Sequence, residues 1–147
     1  MAIKVLEIHH TGMRIDGAVE TMDSLQGFYT GVLGLARDEG RPTIAGIPGM
    51  WINVGEVGQI HLFGGDQPSP VAKGPGQDPT LPHVALAVAD IVATKAELDR
   101  MGVQYWSLKG LTSPESEQVF LNDPCGNMVE LHQIDKCRCR VTNRVPQ

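Results

Sequence analysis

The chain has 147 residues, of which 41% are hydrophobic and 20% charged, a composition that excludes a disordered or collagen-like protein and indicates one globular domain. Its formal charge is −5, but four of its 12 basic side chains lie in the tail, so residues 1–135 carry 8 basic against 17 acidic groups, a net −9. Such a body repels phosphate backbones, so we expect no nucleic-acid partner. With no apolar run near the roughly 20 residues that cross a bilayer and no secretory signal, we expect no membrane partner and a cytoplasmic location.

The first half of the chain predicts a strand, a helix and three short strands. Alternating side chains predict a strand over 6–15, and helical spacing of apolar residues from near Val19 to Leu33 predicts one helix that Gly34 stops. Glycines and prolines then separate short strands expected around 35–38, 50–54 and 58–64.

The second half repeats this order after a linker. Residues 67–80 are rich in proline and glycine and poor in large apolar residues, so they read as a linker. The elements expected beyond it are a strand over 82–89, a helix from about Ile91 to Met101 stopped by Gly102, and strands around 103–108, 117–122 and 127–133, with a turn at 123–127.

These elements predict a single α+β domain over residues 1–147. Module 1 covers about 5–66, module 2 about 81–134, and a basic tail 135–147. Each module leaves one face of a curved four-stranded sheet uncovered. We therefore expect the modules to pair into one cup-shaped mixed sheet with the helices outside.

Polar side chains occupy matching positions in the two halves. His10 and His83 lie on the first strands, and His61 and Glu130 on the last strands. Three imidazoles and one carboxylate suit a first-row divalent ion and leave coordination positions open for a substrate. On a regular strand His9 points away from His10, so only His10 is expected to be a ligand. Small residues at the same parity, such as Gly12 and Ala85, are expected to leave room for a substrate.

For two other side chains near these positions, the sequence allows more than one role. Arg14 is a candidate clamp for a substrate carboxylate or else part of a rim ion pair. His132 shares the parity of Glu130 and either orients it or ends the strand in solvent. Phe63 is expected to line the pocket, while Trp51, Trp106 and Phe120 are expected to be core.

The three cysteines, Cys125, Cys137 and Cys139, are too few for a disulfide scaffold and fit a reducing compartment. Cys137-Arg138-Cys139 could hold a soft metal, but one thiol pair with no cysteine or histidine beside it is a weak signal. The basic tail is expected either to be solvated or to dock on an acidic surface of the same protein.

The pattern resembles the vicinal oxygen chelate superfamily, which includes glyoxalase I, methylmalonyl-CoA epimerase, extradiol dioxygenases and bleomycin-binding proteins. The resemblance covers about residues 5–134 and rests on the segments HTGMRI (10–15), FYTGVLGL (28–35), PHVAL (82–86) and DPCGNMVEL (123–131). It implies paired βαβββ modules with one divalent metal (Ni, Zn, Co, Mn or Fe) on His10, His61, His83 and Glu130. It also implies a homodimer, with each site built from one chain or from two.

The resemblance implies three functions. The first is Lewis-acid lyase or isomerase chemistry on a small oxygenated substrate through an enediolate or enolate, with either Glu130 or a metal-bound hydroxide as the base. The opening segment is similar to that of glyoxalase I, although His61 stands where glyoxalase I has a glutamate and Gly65 where it has an asparagine. The second is an extradiol dioxygenase with Fe(II) on His10, His83 and Glu130, in which His61 acts on oxygen or substrate. The third is a drug-binding resistance protein, a type that usually lacks the metal ligands.

Overall fold

A computed structural model describes residues 2–144. Its strands are β1 (Val5–Arg14), β2 (Ala36–Arg37), β3 (Gly49–Asn53), β4 (Gln59–Phe63), β5 (His83–Val88), β6 (Trp106–Lys109), β7 (Glu117–Asn122) and β8 (Met128–Gln133). The helices are α1 (Val19–Gln26) and α2 (Ile91–Met101), with a π-helical segment over Gly27–Val32 and a 3₁₀ turn over Val141–Arg144. None of the helices in these residues has the length and apolarity to cross a membrane.

All eight strands belong to one sheet, in the order β2-β3-β4-β1-β5-β8-β7-β6. Within each half the first strand pairs in parallel with the last, β1 with β4 and β5 with β8. The two halves meet where β1 and β5 pair antiparallel. The expected α+β architecture, two βαβββ units in one curved mixed sheet, is therefore confirmed. Both units of the sheet come from the same chain.

The two helices differ in how their sequences define them. The side chain of Asp90 accepts a hydrogen bond from the Ala93 N–H, and Gly102 ends α2 with a left-handed φ of 70°. The first helix was expected to run unbroken to Leu33, but its second half widens into the π-helical segment. Gly27 and Gly31 have low helix propensity, so they stabilise a regular α-helix only weakly over this segment.

Most strand positions agree with the expectation to within two residues, but β6 begins late. The strand expected around 103–108 starts only at Trp106. The Val103 N–H still donates to the Leu98 carbonyl, because the left-handed Gly102 carries the helix cap one residue further.

Apolar clusters lie under each helix, on the convex face of the sheet. Val88, Ile91, Leu98, Val119 and Leu131 form the cluster beneath α2. Tyr29, Met50, Ile52 and Leu62 form its counterpart beneath the first helix. The helices therefore cover the outer face, and the concave face is free to carry polar side chains.

The linker between the halves has no helix and no ladder strand, as its composition predicts, but it is anchored by a buried carboxylate. Asp78 accepts hydrogen bonds from the backbone N–H groups of Ser69 (2.6 Å) and Thr80 (3.0 Å) and from both of their hydroxyls (2.8 Å each). All three residues are buried. The linker consequently forms a fixed wall beside the cup.

Residues 135–144 of the tail dock on the body, so for them the solvated alternative was wrong and the docking alternative is confirmed, while residues 145–147 lie outside the described residues. We call residues 135–144 the strap. Arg138 donates two hydrogen bonds, 2.9 and 2.8 Å long, to the carboxylate of Asp38. The Gly58 N–H donates to the Cys139 carbonyl and the Val141 N–H to that of Glu56. The strap therefore crosses the module 1 side of the cup.

Candidate metal centre

Strand register brings the four predicted site residues into two adjacent rows of the sheet. Gly12 lies between His61 and His83 in one row. In the next row Ala85 lies between His10 and Glu130. Cross-strand neighbours share a face, so all four side chains point into the cup.

The missing side chain of Gly12 leaves space for the imidazole of His83 and not for a substrate. A Cβ built on Gly12 would lie 2.5 Å from Cε1 and 2.8 Å from Nδ1 of His83. The sequence-based idea that this small residue leaves room for a substrate is therefore wrong, because the His83 imidazole fills the space.

Three donor atoms converge at the floor of the cup. His10 Nε2 lies 3.2 Å from His83 Nε2 and 3.6 Å from Glu130 Oε1, and His83 Nε2 lies 3.5 Å from the same oxygen. All three residues are buried. Two buried imidazoles facing one buried carboxylate oxygen fit a divalent ion.

The remaining nitrogens of these imidazoles are held by fixed partners. His83 Nδ1 lies 2.6 Å from the Leu81 carbonyl, which only accepts, so this nitrogen carries the proton and Nε2 keeps its lone pair. His10 Nδ1 contacts Cys139 Sγ at 3.3 Å. Such outer contacts are typical of histidines that bind metals.

His61 lies beside this centre but is oriented differently. Its Nε2 is 2.8 Å from Gln59 Oε1, and the Gln59 amide nitrogen donates to Asp38 and Asn53, which fixes the amide orientation. The His61 ring stacks between those of Trp51 and His10, with centroid distances of 4.3 and 3.7 Å. His61 Nε2 therefore carries a proton towards Gln59, and its role as fourth ligand stays a prediction.

His9 also points into the cup, which corrects the expectation that it faces away. The register of β1 against β5 shifts between Ile8 and His10, a bulge that places two consecutive histidines opposite Ala85. His9 is fully buried, and its Nδ1 lies 2.6 Å from His132 Nε2. Successive side chains alternate between the two faces only on a regular strand, and β1 is irregular at His9 and His10.

His132 is buried between Glu130 and His9. The expectation that it ends the strand in solvent was therefore wrong. Its Nδ1 lies 2.6 Å from Glu130 Oε2, and its Nε2 faces His9. Cys137 Sγ lies 2.8 Å from His9 Nδ1. These thiol contacts were missed because the cysteines are more than 120 residues from His9 in the sequence.

The buried groups shift one another's protonation. Burial acts to raise the pKa of Glu130, but His10, His132 and His83 hold it well below its usual range. Burial, with the neighbouring His10, keeps the pKa of His61 well below its usual value. Burial acts to lower the pKa of His132, yet hydrogen bonds with Cys137 and Glu130 raise it to about 10. At neutral pH the centre thus holds an ionised carboxylate and a neutral His61.

A cavity of about 220 Å³ opens above the centre. Its walls include Trp51, Phe63, Phe120, Gln118 and the strap residues 136–139. Phe63 lines it as expected, and Trp51 and Phe120, which are buried as expected, line it too. The Trp51 indole N–H and Gln118 Oε1 are buried and have no hydrogen-bond partner among the described residues.

Arg14 lies outside the lining of this cavity. Its guanidinium donates to the carbonyl oxygens of Gly64 and Gly65 at the end of β4, at 3.5 and 2.5 Å. The structure thus shows Arg14 holding a rim turn through backbone carbonyls. Its role as a substrate clamp stays a prediction.

The model of the glyoxalase/bleomycin resistance protein/dioxygenase superfamily matches residues 7–131. The chain belongs to this superfamily. The resemblance drawn from the four sequence segments is thereby confirmed. A search of curated proteins finds no match to the chain.

Solved structures of the superfamily share the fold at low sequence identity. Methylmalonyl-CoA epimerase from Mycobacterium tuberculosis is 23% identical, with a TM-score of 0.67 over 90% of this chain and 91% of its own. The 2,3-dioxygenase LapB from Pseudomonas sp. KL28 is 18% identical, with a TM-score of 0.56 over 99% of this chain and 45% of its own. A superfamily member from Vibrio splendidus 12B01 is 15% identical, with a TM-score of 0.54 over 86% of this chain and 99% of its own. At these identities the likeness concerns the fold.

Proposed function

We propose that the protein is a divalent-metal-dependent isomerase or lyase that moves a proton on a small oxygenated substrate. The observation that carries this proposal is the convergence of His10 Nε2, His83 Nε2 and Glu130 Oε1 beneath a cavity that His10 and Glu130 line. These residues, with His61 as a candidate fourth ligand, would hold the ion. When bound, it would act as a Lewis acid that polarises a substrate oxygen.

The chain's own groups supply the remaining requirements of proton transfer. Glu130 is ionised, and its Oε2 accepts a hydrogen bond from His132, so the carboxylate is held in one orientation. We assign it the role of base, within reach of a carbon next to a substrate carbonyl or thioester. The aromatic side chains of Trp51, Phe63 and Phe120 give this position apolar walls, and a less polar surrounding strengthens electrostatic interactions inside it.

The cavity favours a small substrate or the small reacting end of a larger one. Its volume of about 220 Å³ lies below the roughly 300–1,000 Å³ of sites for drug-sized ligands. The Trp51 N–H and Gln118 Oε1, which have no partner among residues 2–144, offer one donor for a substrate oxygen and one acceptor for a substrate hydroxyl. Hemithioacetals, hydroxyketones and substituted acyl-CoA thioesters are the classes to test, the last because an epimerase is among the structural relatives.

The test is a Glu130→Gln variant compared with Glu20→Gln, which replaces an exposed carboxylate on α1, outside the cup. Both proteins are loaded with Ni, Zn, Co or Mn, and the loss of a substrate C–H signal in D₂O is followed by NMR. We expect Glu130→Gln to reduce exchange by about 100-fold or more while bound metal, measured by elemental analysis, falls only in part. Near-normal exchange in this variant would rule out the base, and no uptake of any metal by the wild type would favour the drug-binding alternative.

A second candidate, an Fe(II)-dependent extradiol dioxygenase, is favoured by the orientation of His61. Because His61 Nε2 is engaged by Gln59, two histidines and one carboxylate remain at the centre, a set that suits non-haem Fe(II). Protein loaded with iron under anaerobic conditions would then consume oxygen on addition of a catechol. A His61→Ala variant would keep its iron but lose this uptake. Iron content that falls with His61→Ala, or no uptake with any catechol tested, would refute this candidate.

Dimerisation also stays a proposal. One chain already brings His10, His83 and Glu130 together, so this donor set does not require a second chain. Sedimentation of the purified protein would give its oligomeric state.

A further inference from the structure

A second cluster of metal-binding side chains lies where the strap meets β1 and β8. His9 Nδ1 lies 2.6 Å from His132 Nε2 and 2.8 Å from Cys137 Sγ, and all ligand atoms of the four residues are within 4.8 Å of one another. We propose that His9, His132, Cys137 and Cys139 form a thiolate metal site for Zn²⁺ or a similar soft divalent ion, separate from the centre at His10, His83 and Glu130.

The donor set is that of a closed structural site. Two cysteines and two histidines complete a tetrahedral Zn²⁺ shell with no open position. Zn–N bonds of about 2.0–2.1 Å and Zn–S bonds of about 2.3 Å place tetrahedral donors roughly 3.3–3.8 Å apart. The closest donors here would separate by less than about 1 Å to reach this spacing, a shift that side-chain rotation supplies.

The outer contacts of the two imidazoles give independent support. His9 Nε2 lies 2.7 Å from Glu7 Oε1, and His132 Nδ1 lies 2.6 Å from Glu130 Oε2. Each ring thus directs one nitrogen at a carboxylate and the other at the cluster, the arrangement typical of histidines that bind metal.

The strap fixes the thiols at this position. Arg138, between the two cysteines, is paired with the buried Asp38, and Arg140 forms an ion pair with Glu7 at 3.0 Å. Cys139 is buried and Cys137 partly buried, whereas Cys125 is exposed on the turn before β8. The two strap cysteines are therefore distinguishable from Cys125 by chemistry and by access.

Occupation of this site would also hold Glu130. An ion on His132 Nε2 keeps the ring proton on Nδ1, where it faces the Glu130 carboxylate. Cys139 Sγ in turn contacts His10 Nδ1 at 3.3 Å. The proposed site would thus orient two residues of the neighbouring centre without entering the cavity chemistry. It does not depend on which reaction that centre performs.

The experiment titrates Co²⁺ and Zn²⁺ into the full chain, purified under reducing conditions and stripped of metal. Thiolate ligation gives Co²⁺ an intense near-ultraviolet charge-transfer band, and X-ray absorption of the Zn²⁺ form should show Zn–S distances of about 2.3 Å. We expect the Cys137→Ser/Cys139→Ser double variant to lose the band and one equivalent of metal. The matched control Cys125→Ser should keep both.

Two further variants make the result decisive. His83→Ala should keep the thiolate band while it loses the other equivalent, so failure of the neighbouring centre is told apart from failure of this one. His9→Gln, which keeps a polar side chain, should weaken binding at the thiolate site by about 100-fold or more while circular dichroism shows a folded protein. A band that is absent from the wild type, or unchanged in the double variant, would overturn the proposal, as would a Cys137–Cys139 disulfide that survives reduction.

Discussion

Gly12→Ala should displace His83 and weaken metal binding although it adds only one methyl group. The new Cβ would lie 2.5 Å from His83 Cε1, whereas ordinary contacts begin near 3.4 Å, so the ring must move by about 0.9 Å. That movement lengthens the 2.6 Å hydrogen bond from Nδ1 to the Leu81 carbonyl and turns Nε2 away from Glu130. Loss of such an orienting contact costs about 10–100-fold in metal affinity, which is about 1.4–2.8 kcal/mol.

The assay is competition with a chromophoric chelator for Zn²⁺ or Co²⁺, with the strap cysteines replaced by serine so that the cup alone is measured. The control is Gly31→Ala, at which a Cβ meets nothing within 4 Å. We expect the control to bind as the wild type does and to be no less stable. An unchanged metal affinity in Gly12→Ala would refute the view that the position of the His83 ring requires a glycine at residue 12.

Two further predictions concern stability. Burial acts to raise the pKa of Asp38, but hydrogen bonds from Arg138, Gly40 and Gln59 outweigh it and lower the pKa below 3.8. Because the folded pKa is the lower one, this carboxylate stabilises the fold fully above pH 4 or so, and the stabilisation is lost as the pH falls through the folded value. Asp38→Asn should therefore lower the free energy of unfolding, measured by urea titration, by about 1–3 kcal/mol at neutral pH. The difference between variant and wild type should shrink in acid. A difference that does not change with pH would contradict this reasoning. Asp78→Ala should cost about 2–4 kcal/mol because it leaves the buried Ser69 and Thr80 N–H groups without partners, whereas the exposed Asp66→Ala should stay within about 0.5 kcal/mol in the same titration.

The sequence was sufficient for the fold and for the positions of the main donors. Side-chain period and the repeat of strand, helix and three strands predicted the paired modules, and the matching positions of His10 and His83 survive in the register of β1 and β5. The donor set could be expected because it depends on strand period alone. What period cannot show is which nitrogen of His61 is engaged, since this depends on the Gln59 amide network.

The failures have two physical sources. A bulge adds one residue to β1 and turns His9 inward, and nothing in the local sequence distinguishes this from a regular strand. The strap is held by pairs such as Arg138 with Asp38, 100 positions apart, which no local pattern encodes. No histidine lies beside Cys137 and Cys139 in the sequence, but the fold brings His9 of β1 and His132 of β8 next to them.

The strap follows every strand of the sheet in the sequence, so it is the last wall of the cup to be synthesised. The strands that carry His10, His61 and His83 precede Cys137 and Cys139 in the sequence, so a sheet that formed before the strap docked would present its imidazoles with one side of the cup uncovered. An ion that entered from that side would be enclosed once Arg138 paired with Asp38. Metal supply at the moment of translation, rather than affinity in the finished protein alone, would then decide which ion the cup retains.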